Sequence, residues 1–149
     1  MTISELRIRS NNFVANLDTH IKSVVEGVDA NGNDALQALN RDQLRNSTLA
    51  TDQKIIETYS LGYDAYKKKE YPASYGKGEV NLLLTGELYY KMKIEVTGNS
   101  YKIDAKVPYV AELKNKYTTD IFGIAPSNQD KAKAITTPLL AMKYKSLVL

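Results

Sequence analysis

The strongest constraint on the fold of this chain is a pair of alternating segments, at residues 91–96 and 101–106. In both segments nearly every second side chain is apolar, and most of those between are charged. A period of two places the apolar side chains on one face of a strand. A polar turn at 97–100 joins the segments, so they predict a β-hairpin with one buried and one charged face. Three lysines belong to the charged face: Lys91, Lys93 and Lys102.

Two helices are predicted before the hairpin. Apolar residues at helical spacing predict the first over about residues 11–28, with a cap from Asn11 or Asn12. A turn at 29–34 then leads to a shorter second helix. Its cap is predicted to be Asn33 or Asp34, and its inward side chains are predicted to be Leu36, Leu39 and Leu44.

Two further helices are predicted after the hairpin. The first spans 109–117, directly after the proline that ends the second strand. The second begins with Ser127 as its cap, and Pro138 must kink or interrupt it because proline removes a backbone donor. Its inward side chains are predicted to be Ala132, Ile135, Leu139 and Met142.

Length and composition argue for one domain over residues 1–149, since 149 residues with 43% hydrophobic and 25% charged residues are typical of a soluble globular unit. We expect three parts: a helical N-terminal part at 1–45, an irregular tyrosine-rich connection at 46–79, and the hairpin with the C-terminal helix at 80–149. This order predicts an α+β fold, in which N-terminal and C-terminal helices pack on a small antiparallel sheet. The five tyrosines of the connection either pack beside the core or form a protein-binding surface.

Residue types limit the chemistry that the chain can perform. It has no cysteine and a single histidine, His20, which excludes thiol nucleophiles, iron–sulfur clusters and multi-histidine metal sites. His20 falls beside the apolar stripe of the first helix, so we interpret it as a boundary residue. No phosphate-binding glycine loop and no nucleophile motif occur. We therefore expect no enzymatic activity, no metal and no cofactor.

The distribution of charge is uneven but mild. The net charge is +3; residues 1–86 carry ten basic and eleven acidic groups, and residues 87–149 carry ten and six. Neither part is basic enough to predict nucleic-acid binding from charge alone. The chain has no apolar run of about 18 residues and no signal-peptide pattern at its start. We expect no membrane contact, and a protein made and used in a cytoplasm or in an assembly built there.

Three segments together resemble a known family. The segment Val80–Met92 is similar to a signature of the neck and tail-completion proteins of tailed bacteriophages, which are often labelled virion morphogenesis proteins. In that signature, a leucine is followed by Thr-Gly-x-Leu and then by a strand. The segment 107–113 resembles that family's Tyr-Ala-x-x-Leu element, and 121–125 resembles the Phe-Gly-Leu-Ser segment before its last helix. The likeness covers roughly residues 60–145. The residues that carry it are Leu82, Thr85, Gly86, Leu88, Met92, Tyr109, Ala111, Leu113, Phe122 and Gly123.

The first of these segments also has a local physical interpretation. Gly86 permits a close turn or a positive φ, and Thr85 can cap a one-turn helix. Leu88 and Met92 then fall on one face of the chain before it enters the hairpin. The sequence departs from the family after the second segment, where residues 114–119 replace the usual Glu-x-Gly-Thr.

The resemblance implies a structural, non-enzymatic virion protein. Such a protein forms a homo-oligomeric ring between the portal and the tail and continues the channel through which DNA passes. Its partners are then copies of itself, portal or adaptor proteins and tail proteins, and the hairpin lysines face the lumen and touch passing DNA. The alternative is a cytoplasmic binding module for nucleic acid or protein, with a groove between helix and hairpin; Lys91, Lys93, Tyr101 and Lys102 give this alternative a basic and aromatic patch.

Overall fold

A computed structural model describes residues 1–28, 32 and 34–149. Most of the turn predicted at 29–34, including the capping role of Asn33, lies outside these residues. The described residues form helices together with one two-stranded antiparallel sheet, which confirms the predicted α+β fold. None of the helices in this part of the chain combines the length and the apolar character that a membrane crossing requires.

Seven α-helices and two strands follow one another in the described part of the chain. The helices are α1 Ile3–Ala15, α2 Leu17–Val25, α3 Gln37–Arg45, α4 Leu61–Glu70, α5 Glu87–Tyr90, α6 Val110–Tyr117 and α7 Gln129–Val148. The strands are β1 Met92–Thr97 and β2 Ser100–Ala105. Short 3₁₀ turns occur at Pro72–Ser74, Thr119–Ile121 and Pro126–Asn128.

The hairpin forms as its alternation predicts. β1 and β2 pair antiparallel from Met92 opposite Ala105 to Thr97 opposite Ser100. The two residues between them turn the chain, with Gly98 at a φ of 59° that suits a tight hairpin turn. On the apolar face, Met92, Ile94, Ile103 and Ala105 are buried in the main cluster of core residues, whereas Val96 is partly buried and Tyr101 is exposed near the turn. Removing the larger of these buried side chains from water contributes about 1.5–3 kcal/mol each.

The N-terminal helical region begins earlier than predicted and is divided in two. The prediction of one helix over 11–28 with an Asn11 or Asn12 cap is wrong. Thr2 caps α1 instead, in a reciprocal arrangement with Glu5, and Asn16 separates α1 from α2. The capping motif could be found in the sequence, since Thr2 and Glu5 have the spacing of a capping box.

Helix α3 is present, but Asp34 does not cap it. The helix has no side-chain cap, and the Asp34 carboxylate accepts a hydrogen bond from Arg41 at 2.8 Å. The inward positions are as predicted: Leu36 and Leu44 are buried in the core, and Leu39 packs against it.

The connection at 46–79 is not irregular throughout. It contains α4, which Ser60 caps by accepting a hydrogen bond from the backbone N–H of Tyr63. The prediction failed here because the helix carries three consecutive lysines and no apolar stripe, so its periodicity is weak.

The predicted C-terminal helix exists, with Pro138 inside it, and both α1 and α2 pack against it. Ser127 does not cap it: its hydroxyl and its backbone N–H both donate to the Asp52 carboxylate. Ala132 is buried, whereas Met142, predicted to point inward, is 62% exposed.

Candidate functional site

The most developed concave feature of the described residues is a groove of about 700 Å³, which we call the tyrosine groove. Its walls are the start of α4, the segment 82–88 and one face of α6. Leucines at 82, 83, 84, 88 and 113 form its apolar lining, and Tyr59, Tyr63, Tyr109 and Tyr117 contribute aromatic rings. Glu87, Glu112 and Lys116 are its charged members.

Six of the ten residues that carry the family resemblance line this groove. Leu82, Thr85, Gly86 and Leu88 come from the first segment, and Tyr109 and Leu113 come from the second. The remaining four lie elsewhere. Met92, the first residue of β1, is fully buried, and Ala111 is exposed on α6 outside the groove. Phe122 and Gly123 belong to a separate buried segment.

The backbone of the segment 82–88 adopts an unusual conformation. Leu82 has a φ of 53°, in the left-handed region that non-glycine residues rarely adopt. Its backbone N–H donates to the Tyr59 hydroxyl at 3.1 Å, which fixes this conformation from the opposite wall. Gly86 has a φ of 88° and directly precedes the one-turn helix α5, as the sequence predicted. The Thr85 hydroxyl accepts a long hydrogen bond, 3.5 Å, from the N–H of Glu87.

A buried lysine supports the same segment from behind. Lys67 of α4 is fully buried, and its Nζ donates to Asn81 Oδ1 at 2.5 Å and lies 4.8 Å from the ring centre of Tyr59. Burial lowers the pKa of Lys67 to about 8, and burial also raises the pKa of Tyr59 to about 12. Sequence reasoning missed this contact because Lys67 is the first of three lysines, a pattern typical of a solvated surface.

Burial of Lys67 predicts a stability that rises with pH. Its pKa in the folded chain is about 8, below the ordinary 10.5, so the unfolded chain binds the proton more tightly between these values. We expect the free energy of unfolding to gain about 1 kcal/mol from this residue between pH 7 and pH 9. Urea unfolding at the two pH values, compared for the wild type and Lys67→Met, measures that gain.

The comparison of variants separates the effect of this residue from that of Tyr59, because burial raises the pKa of the Tyr59 hydroxyl to about 12, well above this pH range. Lys67→Met removes the gain, whereas Lys68→Met retains it because Lys68 is an exposed neighbour on the same helix. An equal pH dependence in the wild type and Lys67→Met contradicts the assignment.

The tyrosines extend from the groove along α4. The ring centres of Tyr59 and Tyr63 lie 4.9 Å apart, those of Tyr63 and Tyr66 lie 6.3 Å apart, and those of Tyr66 and Tyr71 lie 5.9 Å apart. Tyr59 packs on the core, while Tyr63 and Tyr66 are 37% and 47% exposed. The cluster therefore combines both arrangements that the sequence left open, with packing at one end and an exposed aromatic surface at the other.

The third segment of the resemblance is part of the interior. Two amide side chains of α3 bond to its backbone: Asn40 donates to Ile121 O at 2.9 Å and accepts from Gly123 N at 3.0 Å. Gln43 donates to Gly123 O at 2.9 Å and accepts from Ala125 N at 2.8 Å. We call this arrangement the amide clamp. We expected Phe122 and Gly123 to be interface residues. Contacts inside the chain hold their segment instead, and Phe122 is buried.

The three hairpin lysines are exposed, as predicted, but their face also carries acids. Asp104 lies opposite Lys93 in the sheet and is 3.3 Å from Lys102 Nζ and 2.7 Å from Lys114 Nζ. Glu95 lies opposite Lys102. The face is thus a mixed surface with an excess of lysine.

The described residues contain no group of three or more histidine, cysteine or carboxylate side chains that could hold a metal ion. His20 stacks on Phe13 with ring centres 4.4 Å apart and is half-buried, as expected for a boundary residue. The groove presents apolar and phenolic groups with a few charges at its edge, which suits binding of a partner surface.

Comparison of the chain with protein-family models, with curated proteins and with solved structures finds no match.

Proposed function

We propose that this chain is a structural virion protein that forms a ring in the neck of a tailed bacteriophage, between portal and tail, and continues the DNA channel. Its partners are copies of itself and the portal, adaptor and tail proteins above and below. The observation that carries the proposal is the convergence of the first two resemblance segments, which are separate in sequence, on one groove.

The composition of the groove favours a protein partner. Leucines and tyrosines dominate it, and tyrosine is enriched where protein surfaces meet because its ring buries area while its hydroxyl retains a polar contact. Four lining leucines, Leu82, Leu83, Leu84 and Leu113, are only partly buried in the isolated chain. A partner surface that covers them gains the free energy of their burial.

Several large apolar side chains outside the groove are also exposed. Ile56 and Leu61 are about nine-tenths exposed, and Ile3, Val14 and Tyr90 are 66–87% exposed. A subunit of a ring meets two identical neighbours through two different surfaces. Exposed apolar side chains on well-separated elements are what such a subunit requires.

The hairpin suits the wall of a DNA channel. Its outer face, with Lys91, Lys93 and Lys102, has an excess of lysine that Glu95 and Asp104 moderate. Every phosphate that a protein neutralises adds salt-dependent affinity. A small excess of lysine on this face therefore permits contact with passing DNA but does not bind the DNA strongly.

Self-association through the groove is the first test. Leu83→Asp places a carboxylate on the lining, and we expect the variant to associate at least tenfold more weakly than the wild type in sedimentation velocity. Ile56→Asp is the matched control, because it also replaces an exposed apolar side chain by an acid but does not line the groove. Electron microscopy of the associated wild type is expected to show closed rings.

The alternative, a nucleic-acid-binding module, predicts different results for the same samples. A chain that stays monomeric and forms a salt-sensitive complex with single-stranded DNA contradicts the ring and supports the module. Association that Leu83→Asp and Ile56→Asp weaken equally contradicts a specific role of the groove.

A further inference from the structure

We infer that the tyrosine groove receives helix α1 of a neighbouring copy. The inference rests on the proposed ring and names the surface that meets the groove. It follows from an exposed stripe on α1, from unpaired charges on the two surfaces and from their separate positions on the fold.

Helix α1 packs on its own chain through one side and exposes apolar side chains at the edge of that side. Leu6, Ser10 and Phe13 are its partly or fully buried positions, and the last two contact Tyr144 of α7. Ile3 and Val14 form an exposed stripe at the edge of this side, next to Leu6 and Ser10, and are 87% and 66% exposed. They are separated by eleven residues, or about three helical turns, so they lie on one side of the helix.

Arg7 lies between Ile3 and Val14 on this stripe, four residues after the first and seven before the second. It forms no ion pair with any residue among 1–28, 32 and 34–149. The stripe therefore presents a central cation between two apolar side chains. Ile3, Arg7 and Val14 share one side of α1, and a helix that binds in a groove contacts it through side chains that share a side.

The groove offers the complementary pattern. Its apolar lining includes the partly buried Leu82, Leu83 and Leu113. Glu112, on the α6 wall, is exposed and has no ion-pair partner within the described part of the chain. A helix laid along the leucines brings an apolar stripe onto apolar lining, with Arg7 able to meet this carboxylate at the rim.

The two surfaces belong to different parts of the molecule. α1 packs on α7 and α2, and none of these helices lines the groove. A contact between α1 of one copy and the groove of the next is heterologous. Every copy therefore places its α1 in the groove of one neighbour and accepts the α1 of the other neighbour in its own groove. Repetition of such a contact closes into a ring when its rotation fits a full turn.

Helix α7 is the competing occupant, because Met142 and Leu147 are 62% and 50% exposed and Lys145 lies between them. The stripe on α1 is favoured because Arg7 lies between more exposed apolar side chains. A charge reversal on each helix distinguishes them.

The experiment measures self-association of the full chain by sedimentation velocity up to about 1 mM, for the wild type and four variants. Arg7→Glu and Glu112→Arg each place like charges together, and we expect each to weaken association at least tenfold. Arg7→Glu/Glu112→Arg restores opposite charges and is expected to return association to within about threefold of the wild type. Lys145→Glu is the matched control and is expected to leave it unchanged.

Each other outcome overturns the inference. If neither single variant weakens association of the chain, or if the double variant fails to restore it, the contact lies elsewhere. This outcome contradicts the α1 contact but not a ring of copies. Association weakened by Lys145→Glu but not by Arg7→Glu makes α7 the occupant. A wild type that is monomeric throughout the range overturns the α1 contact together with self-assembly of the chain.

Discussion

Replacing Gln43 by methionine is expected to lower the free energy of unfolding by about 3 kcal/mol. Gln43 is 4% exposed, and its amide bonds to Gly123 O and Ala125 N in the amide clamp. Methionine keeps nearly the same shape but leaves both backbone groups without this partner. A buried polar group that loses its partner costs about 1–3 kcal/mol. Equilibrium unfolding in urea measures the loss.

The same helix provides a matched control. Gln37 is 3% exposed, and its Oε1 has no hydrogen-bond partner among residues 1–28, 32 and 34–149. Replacing it by methionine removes a buried oxygen that is not paired there, so we expect a change within about 1 kcal/mol. Similar losses for Gln37→Met and Gln43→Met would show that volume and helix propensity, rather than the clamp, determine the effect.

Gly123→Ala is expected to destabilise the chain by about 3 kcal/mol or more. The φ of Gly123 is 134°, a region that side chains with a Cβ rarely enter. An added Cβ would also lie 2.9 Å from the Cβ of Ala50, closer than two carbon atoms can pack. Both the backbone strain and the contact must be relieved by moving a segment that the amide clamp holds. Thermal and urea unfolding both report the loss.

Gly78→Ala separates the two causes. Gly78 also has a positive φ, 90°, but no atom lies within 4 Å of the Cβ that alanine would add. We expect this variant to lose only about 1 kcal/mol, the cost of backbone strain alone. Equal losses for the two variants would contradict tight packing of Gly123 against Ala50.

The parts of the fold that local patterns determine were predictable from the sequence. The hairpin and α6 depend on alternation and on a proline boundary, and both are present as predicted. The N-terminal helices were misplaced because Asn11 and Asn12, which look like caps, lie inside α1. α4 was missed because it has no apolar stripe.

The parts that depend on distant contacts were not predictable. Asn40 and Gln43 read as ordinary polar residues of a helix, yet they bond to a segment about 80 residues away. In the same way, the sequence identified Thr85, Leu88 and Leu113 as motif residues but not the groove that they share. No single-sequence pattern records that segments far apart in the chain meet.

The amide clamp has a consequence for assembly. The clamp holds the segment that leads into α7, and α1 packs against α7. The orientation of α1, the helix that we propose contacts the next subunit, therefore depends on the contacts of α3. In a closed ring, the number of copies is a full turn divided by the angle between successive subunits. Two amide side chains in the interior, far from any subunit boundary, would then help to set the diameter of the pore.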